Sequence, residues 1–226
     1  MTLSRKLLPF LLLSIIHLAS MFLAEEMLDM VTKPLLMPAL MYYFVGSAVK
    51  SPLNNFVIVA LIFSFLGDTL LMFAEANDLF FLIGLVSFLI AHITYIIINL
   101  NAKEIVERGI KPQWQDIPFV VYGLFIFTWL KDGLGEMYIP TLIYTVIICL
   151  MVITARKRWK KADNKSFWLV MMGASFFVVS DSLLAINKFD GAFQLSDPAI
   201  MTTYLLAQFL MIEGYKSFIN SIVLKA

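Results

Sequence analysis

Apolar runs recur along the chain, each closed by a short polar or charged stretch. The first covers 7–24, behind Arg5 and Lys6, and ends at Glu25, Glu26 and Asp29. It resembles a secretory leader, but it is long and no clean small-x-small cleavage site follows it, so it reads as a retained helix. A short second helix is expected over 34–49, with Pro34 in its first turn, where a missing N–H leaves no bond unmade. After a turn at 50–55, the third and fourth helices cover 56–74 and 79–100. Residues 101–115 form the first long polar stretch and mark a boundary between halves, about 1–100 and about 116–226. Four more helices follow, over 117–130, 137–155, 167–186 and 199–215. Several of these runs sit near the lower limit of about 17–20 residues for crossing a bilayer. The expectation is one transmembrane domain over 1–226, an all-α polytopic bundle of eight membrane helices.

Composition strengthens that reading. Of 226 residues, 61% are hydrophobic and 15% charged, against roughly 25% charged in soluble domains. No room is left for a separate soluble domain. The net charge of +1 supplies no field for nucleic acid. Cys149 is the single cysteine, so no intrachain disulfide forms and no Cys/His metal spacing exists. No metal and no organic cofactor is expected.

Charge also orients the helices. With the N-terminus in the cytoplasm, the inner segments hold Arg5, Lys6, Lys50, Lys103, Arg108, Lys111, Arg156, Lys157, Arg158, Lys160, Lys161, Lys165, Lys216 and Lys225. Only Lys33, Lys131 and Lys188 of the 17 basic residues fall outside. This bias places both termini in the cytoplasm, and in a bacterium the membrane would be the plasma membrane. The basic run at 156–161 then reads as an orientation signal touching anionic lipid.

Two carboxylates interrupt the apolar runs. Asp68 lies in Ser64-Phe-Leu-Gly-Asp68-Thr-Leu-Leu, and Asp181 in Phe177-Val-Val-Ser-Asp181-Ser-Leu-Leu. Both read small residue, Asp, hydroxyl residue, Leu, Leu. An ionisable side chain at mid-membrane costs about 2.5–3.5 kcal/mol on insertion scales, so a chain that carries two in echoing contexts has a use for them. Asp68 precedes Glu75 by seven residues and Asp181 precedes Lys188 by seven. Each therefore sits roughly 10 Å below the outer boundary. Equal depth, shared direction and the echo predict a parallel internal repeat, helices one to four matching five to eight. Ser64 lies one turn before Asp68, and Asn187 follows Asp181. His92, Tyr95 and Asn99 share a face of helix four, and Tyr204 and Gln208 share a face of helix eight. His17 shows no partner pattern and reads as structural.

Two carboxyl groups in one low-dielectric pocket share a proton, which sets an acid beside a base. That suits hydrolysis of a lipid at acyl depth, and it equally suits a proton relay. The Tyr-Asp and Gly-x-Gly-Asp motifs of intramembrane aspartyl proteases are absent, as is a Gly-x-Ser-x-Gly elbow. Helix seven holds no lysine at mid-span for a retinal Schiff base. A proton-coupled carrier of a small amphiphile is the alternative, although internal Gly and Pro breaks are few outside helix two.

The order of motifs resembles the YhhN family. The residues that carry the resemblance are Lys33-Pro34-Leu35, Gly67-Asp68-x-x-Leu71-Met72 and Phe81-x-x-Gly84-Leu85-x-x-Phe88-x-x-Ala91-His92-x-x-Tyr95. Gly173-Ala174-Ser175-x-Phe177-x-x-Ser180-Asp181-Ser182 and Tyr204-x-x-x-Gln208 follow in the second half. The resemblance implies an eight-helix membrane enzyme of the lysoplasmalogenase kind, which hydrolyses a vinyl ether to a fatty aldehyde and a glycerophospho-base. Its partners would be a lysophospholipid substrate and membrane lipids. On that reading Asp68 and Asp181 are catalytic, and His92 or Tyr95 orients water or the second carboxylate. Tyr204, Gln208 and Asn187 would meet glycerol hydroxyls, and Lys33 the phosphate.

Overall fold

The computed structural model describes residues 4–101 and 111–223. Lys103, Arg108 and Lys225, assigned above to the cytoplasmic side, lie outside the described residues, as does most of the polar stretch at 101–115. Among the described residues there are eight α-helices and no strand. They are α1 (Leu8–Leu23), α2 (Glu26–Ser47), α3 (Leu53–Leu71), α4 (Asp78–Leu100), α5 (Ile117–Leu130), α6 (Tyr138–Arg156), α7 (Asn164–Phe189) and α8 (Ser196–Val223).

Two helices depart furthest from the sequence expectation. The second starts eight residues early, so Pro34 and Pro38 both lie inside it. Glu26 and Asp29 occupy its first turn, where negative side chains meet the positive end of the helix dipole. That start outweighs the amide hydrogens missing at the two prolines. The last helix runs on to Val223. α3 stops at Leu71 and gives way to turns through 76, whereas α7 continues to Phe189. Asp68 therefore sits three residues from the end of its helix and Asp181 eight from the end of its own. The equal depth read from flanking charges does not carry over to the helix ends.

Five helical segments are long and apolar enough to cross a membrane: Arg5–Leu23, Leu53–Leu71, Asp78–Leu100, Gly135–Arg156 and Asn164–Phe189. This is the composition of a multi-pass membrane protein. α5 has 14 residues, about 21 Å at 1.5 Å per residue, short of the ~30 Å hydrocarbon layer. α2 carries Glu26, Asp29 and Lys33, and α8 carries Asp197, Glu213 and Lys216.

The chain divides into two compact units, Met1–Thr94 with Tyr215–Ala226, and Tyr95–Gly214. In the first, α2 packs against both α1 and α3. Leu36, Leu40 and Phe44 of α2 and Val57, Ala60 and Leu61 of α3 are fully buried. α1 ends on Ala24 in the left-handed region (φ 55°), with Glu25 N–H reaching back to Ser20 O at 3.0 Å. This tight reversal brings α2 back along α1, and a polar cluster joins them. His17 Nδ1 lies 2.9 Å from Thr32 Oγ1 and 3.4 Å from Asp29 Oδ1, and the Ser20 hydroxyl donates to Asp29. His17 thus has the partners that its sequence context concealed. Thr32 spends its own proton on Leu28 O at 2.7 Å, so its oxygen accepts from His17 and the proton sits on Nδ1.

In the second unit α5 packs on α6, α6 on α7 and α5 on α7. The basic run at 156–161 is only partly available to lipid. Arg156 grips Asp116 through Nε at 2.9 Å and Nη2 at 2.6 Å, and Lys157 Nζ lies 3.3 Å from its other oxygen. Arg158 is fully buried and donates to Ser166 Oγ at 2.8 Å, whose hydroxyl donates to Gly214 O at 2.8 Å. Lys160 and Lys161 remain exposed beside the edge-to-face ring cluster of Trp159, Phe167 and Trp168. That is a membrane-interface composition. Lys160 and Lys161 are thus the members of the run left open to lipid headgroups, whereas the two arginines and Lys157 are spent on internal partners.

Asp116 also accepts from Gln113 N at 2.8 Å, closing a capping box at the entry to α5. Burial works against its charge, but the Gln113 amide and the Arg156 and Lys157 cations outweigh it and hold the carboxyl below its ordinary range. A carboxyl with a depressed folded-state value stabilises above the unfolded value near 4 and loses that contribution as pH falls through the folded value. Asp116→Asn is expected to cost about 1–3 kcal/mol at neutral pH. The deficit relative to wild type should close below about pH 4. Thermal unfolding of both proteins in detergent across a pH series checks this, and a gap independent of pH would contradict it.

Candidate active site

Ser64, Asp68, His92 and Lys33 lie in the first unit. Asp68 is 3% exposed on α3, with Ser64 buried one turn before it. The turn that carries Asp68 is pressed against α4. A Cβ at Gly67 would meet the Phe88 ring at 2.5–3.0 Å, and one at Gly84 would meet Leu71 at 3.0 Å. Gly67 and Gly84 therefore serve close approach of α3 and α4, and Phe88 covers the turn that carries Asp68. His92, one turn beyond Phe88, is completely buried. Lys33 is half-buried on α2, next to Thr32 of the His17 cluster.

Tyr95, Asp181, Asn187, Tyr204 and Gln208 lie in the second unit. Three of them form one chain: Tyr95 donates to Gln208 Oε1 at 2.7 Å, and Gln208 Nε2 donates to Tyr204 Oη at 3.2 Å. Asn99 bonds Thr154 Oγ1 of α6 at 3.2 Å. On α7, one face seats on α8. Gly173 admits Ala207 and Met211, Phe177 meets the Tyr204 ring edge-on at 5.6 Å, and Ser180 donates to Ile200 O at 3.1 Å. Asp181 turns to α6, where Tyr144 donates to its Oδ2 at 2.5 Å. Asn187 is half-buried, and its Oδ1 has no hydrogen-bond partner among the described residues.

Tyr144 is the residue that sequence reasoning passed over. It is buried inside an apolar run, like many packing tyrosines. The available signal was Thr141-x-x-Tyr144, a polar pair on one helix face at the same spacing as His92 and Tyr95. Thr141 is buried too, and its hydroxyl has no hydrogen-bond partner among the described residues. No group of three His, Cys, Asp or Glu side chains able to hold a metal ion is present among the described residues.

A carboxyl group buried inside one membrane-spanning helix, and a second bonded by a tyrosine inside another, define a multi-pass membrane protein with ionisable groups at membrane depth. Such residues mark ion, proton or substrate chemistry. The YhhN family model matches residues 28–215, and the chain belongs to that family. Proteins called lysoplasmalogenase from Mycobacterium bovis and Mycobacterium tuberculosis are each 27% identical to it over 175 residues. The matched stretch is 75% of this chain and 65% of each relative. No solved structure matches the chain.

Proposed function

We propose that the protein is an integral-membrane hydrolase that cleaves the vinyl-ether bond of lysoplasmalogen, or of a related ether lysophospholipid. The products are a fatty aldehyde and a glycerophospho-base. What carries the reading is a carboxyl group inside each of two spanning helices, α3 and α7, in a chain similar to two proteins called lysoplasmalogenase. The pairing of Asp68 with Asp181 in one reaction rests on their echoing sequence contexts.

The chemistry asks for an acid and a carboxylate. Asp68 gives its proton to the β-carbon of the vinyl ether, and the π electrons form the new C–H bond. Positive charge develops at the α-carbon and the ether oxygen, where the Asp181 carboxylate stabilises it. Water adds to the α-carbon and its proton passes to Asp181. Asp181 then returns that proton to the ether oxygen as the C–O bond breaks, while the hemiacetal hydroxyl proton goes to Asp68. Glycerophospho-base and aldehyde leave with both side chains restored. Asp68 is almost completely buried on α3, where bulk water does not reach its carboxyl group. Tyr95, Gln208 and Tyr204 satisfy one another between α4 and α8, which supports a scaffolding role for that chain. Asn187 retains an open acceptor for a glycerol hydroxyl.

Purified protein in detergent micelles should release fatty aldehyde from lysoplasmalogen and none from the ester-linked lysophospholipid of equal chain length. An alcohol-dehydrogenase-coupled assay reads this directly. No aldehyde where a mycobacterial relative shows turnover would end the substrate assignment.

A further inference from the structure

We infer that Tyr144 is a positioning residue for Asp181, holding its carboxyl group in the orientation that accepts a proton from the attacking water. The inference deepens the hydrolase reading and rests on it. The observation is local to the second unit. Tyr144, on the buried face of α6, points its hydroxyl across to α7 and donates to Asp181 Oδ2 at 2.5 Å. That separation lies at the short end of the range for O–H···O bonds. A phenol that donates here fixes which oxygen accepts and restrains rotation of the carboxyl about its last torsion, which is otherwise broad.

The same face offers more than packing. Thr141, one turn away, keeps a buried hydroxyl with no hydrogen-bond partner among the described residues. Buried polar groups are ordinarily hydrogen-bonded, so an unmet hydroxyl here calls for a partner. An unmet hydroxyl beside a tyrosine–carboxylate dyad fits a surface that meets water or a substrate hydroxyl. On the proposed mechanism Asp181 is the carboxylate that stabilises charge and takes the water proton.

The natural comparison is Tyr122, which also reaches α7 from a neighbouring helix. Its hydroxyl lies 3.0 Å from Ser182 Oγ in an exposed setting. Tyr122→Phe removes a tyrosine hydroxyl next in line to Asp181 without touching the carboxylate.

The test compares wild type, Tyr144→Phe and Tyr122→Phe for aldehyde release, and records infrared difference spectra of each against its Asp181→Asn counterpart. Tyr144→Phe should lower kcat about 10- to 100-fold, the loss of one hydrogen bond to a charged group, with KM within twofold. It should also move the carboxylate band assigned to Asp181. Tyr122→Phe should do neither. If Tyr144→Phe keeps kcat within twofold of an active wild type, or raises only KM, the positioning role is overturned. If wild type itself releases no aldehyde, the hydrolase reading fails and the spectra decide the rest. A shifted Asp181 band keeps the dyad as the device that holds this carboxylate, and an unshifted band overturns it.

Discussion

On the proposed mechanism, Asp68→Asn and Asp181→Asn are each expected to reduce aldehyde release by roughly 100- to 10,000-fold, the contribution of a positioned general acid or base. Asn matches Asp in shape and keeps an amide oxygen, so the buried seat of Asp68 under Phe88 is refilled without a cavity. At position 181 the amide oxygen still accepts from Tyr144. What each variant loses is the ability to hold and pass a proton. The expected signature is a loss in kcat with KM little changed, in protein that remains monodisperse in detergent. Either variant retaining activity within tenfold of wild type removes that carboxyl group from the mechanism. Loss from Asp68→Asn alone would leave a single-acid mechanism with charge stabilisation drawn from elsewhere.

The sequence made the helices legible because their signal is additive. Long, predominantly apolar runs outweigh uncertainty at any one position, and α5 spans the residues expected of it, Ile117–Leu130. Helix starts set by a few polar residues were harder to see. Pro34 looks like a first-turn residue until Glu26 and Asp29 are credited with opening α2 a full two turns earlier. The candidate carboxyl groups were visible because an Asp in an apolar run is rare. Tyr144 was not, because a tyrosine there costs little and its value lies wholly in what stands opposite, on a helix more than thirty residues away. The same holds for Arg158 and Arg156. Their charge suggested lipid, while their burial and their partners Ser166 and Asp116 are facts of packing. His17 shows the converse, since its partners Asp29 and Thr32 lie on the next helix and only the reversal at Ala24 brings them near.

Gly173→Ala should lower the thermal midpoint by about 2–8 °C, while Gly46→Ala leaves it unchanged or slightly higher. Alanine is the better helix former by about 0.8–1.0 kcal/mol at either site, so the contrast isolates what the new methyl group meets. At Gly46 the three nearest atoms all belong to Lys6, with Cδ at 2.6 Å and Nζ at 2.9 Å. That is the far end of a flexible side chain, which can swing aside although it donates to Gly46 O. At Gly173 it meets Met211 Cγ at 2.6 Å, Met211 N at 2.8 Å and Ala207 O at 2.9 Å. Two of these three are backbone atoms of α8, so relief requires the helices to separate. Gly214 is the reciprocal contact, where a methyl would meet Val170 Cγ2 at 2.6 Å and Val170 N at 2.9 Å on α7. Close crossing through small residues is how membrane helices gain contact where the lipid supplies no hydrophobic drive. Forcing a methyl into such a crossing costs about 1–3 kcal/mol, which exceeds the propensity gain. The penalty reaches the chemistry as well, because Ser180, which ties α7 to Ile200 O, directly precedes Asp181. Gly173→Ala should therefore lose activity beyond its loss of stability, and Gly46→Ala should not. A Gly173→Ala midpoint at or above wild type would mean that α7 and α8 do not cross at this distance.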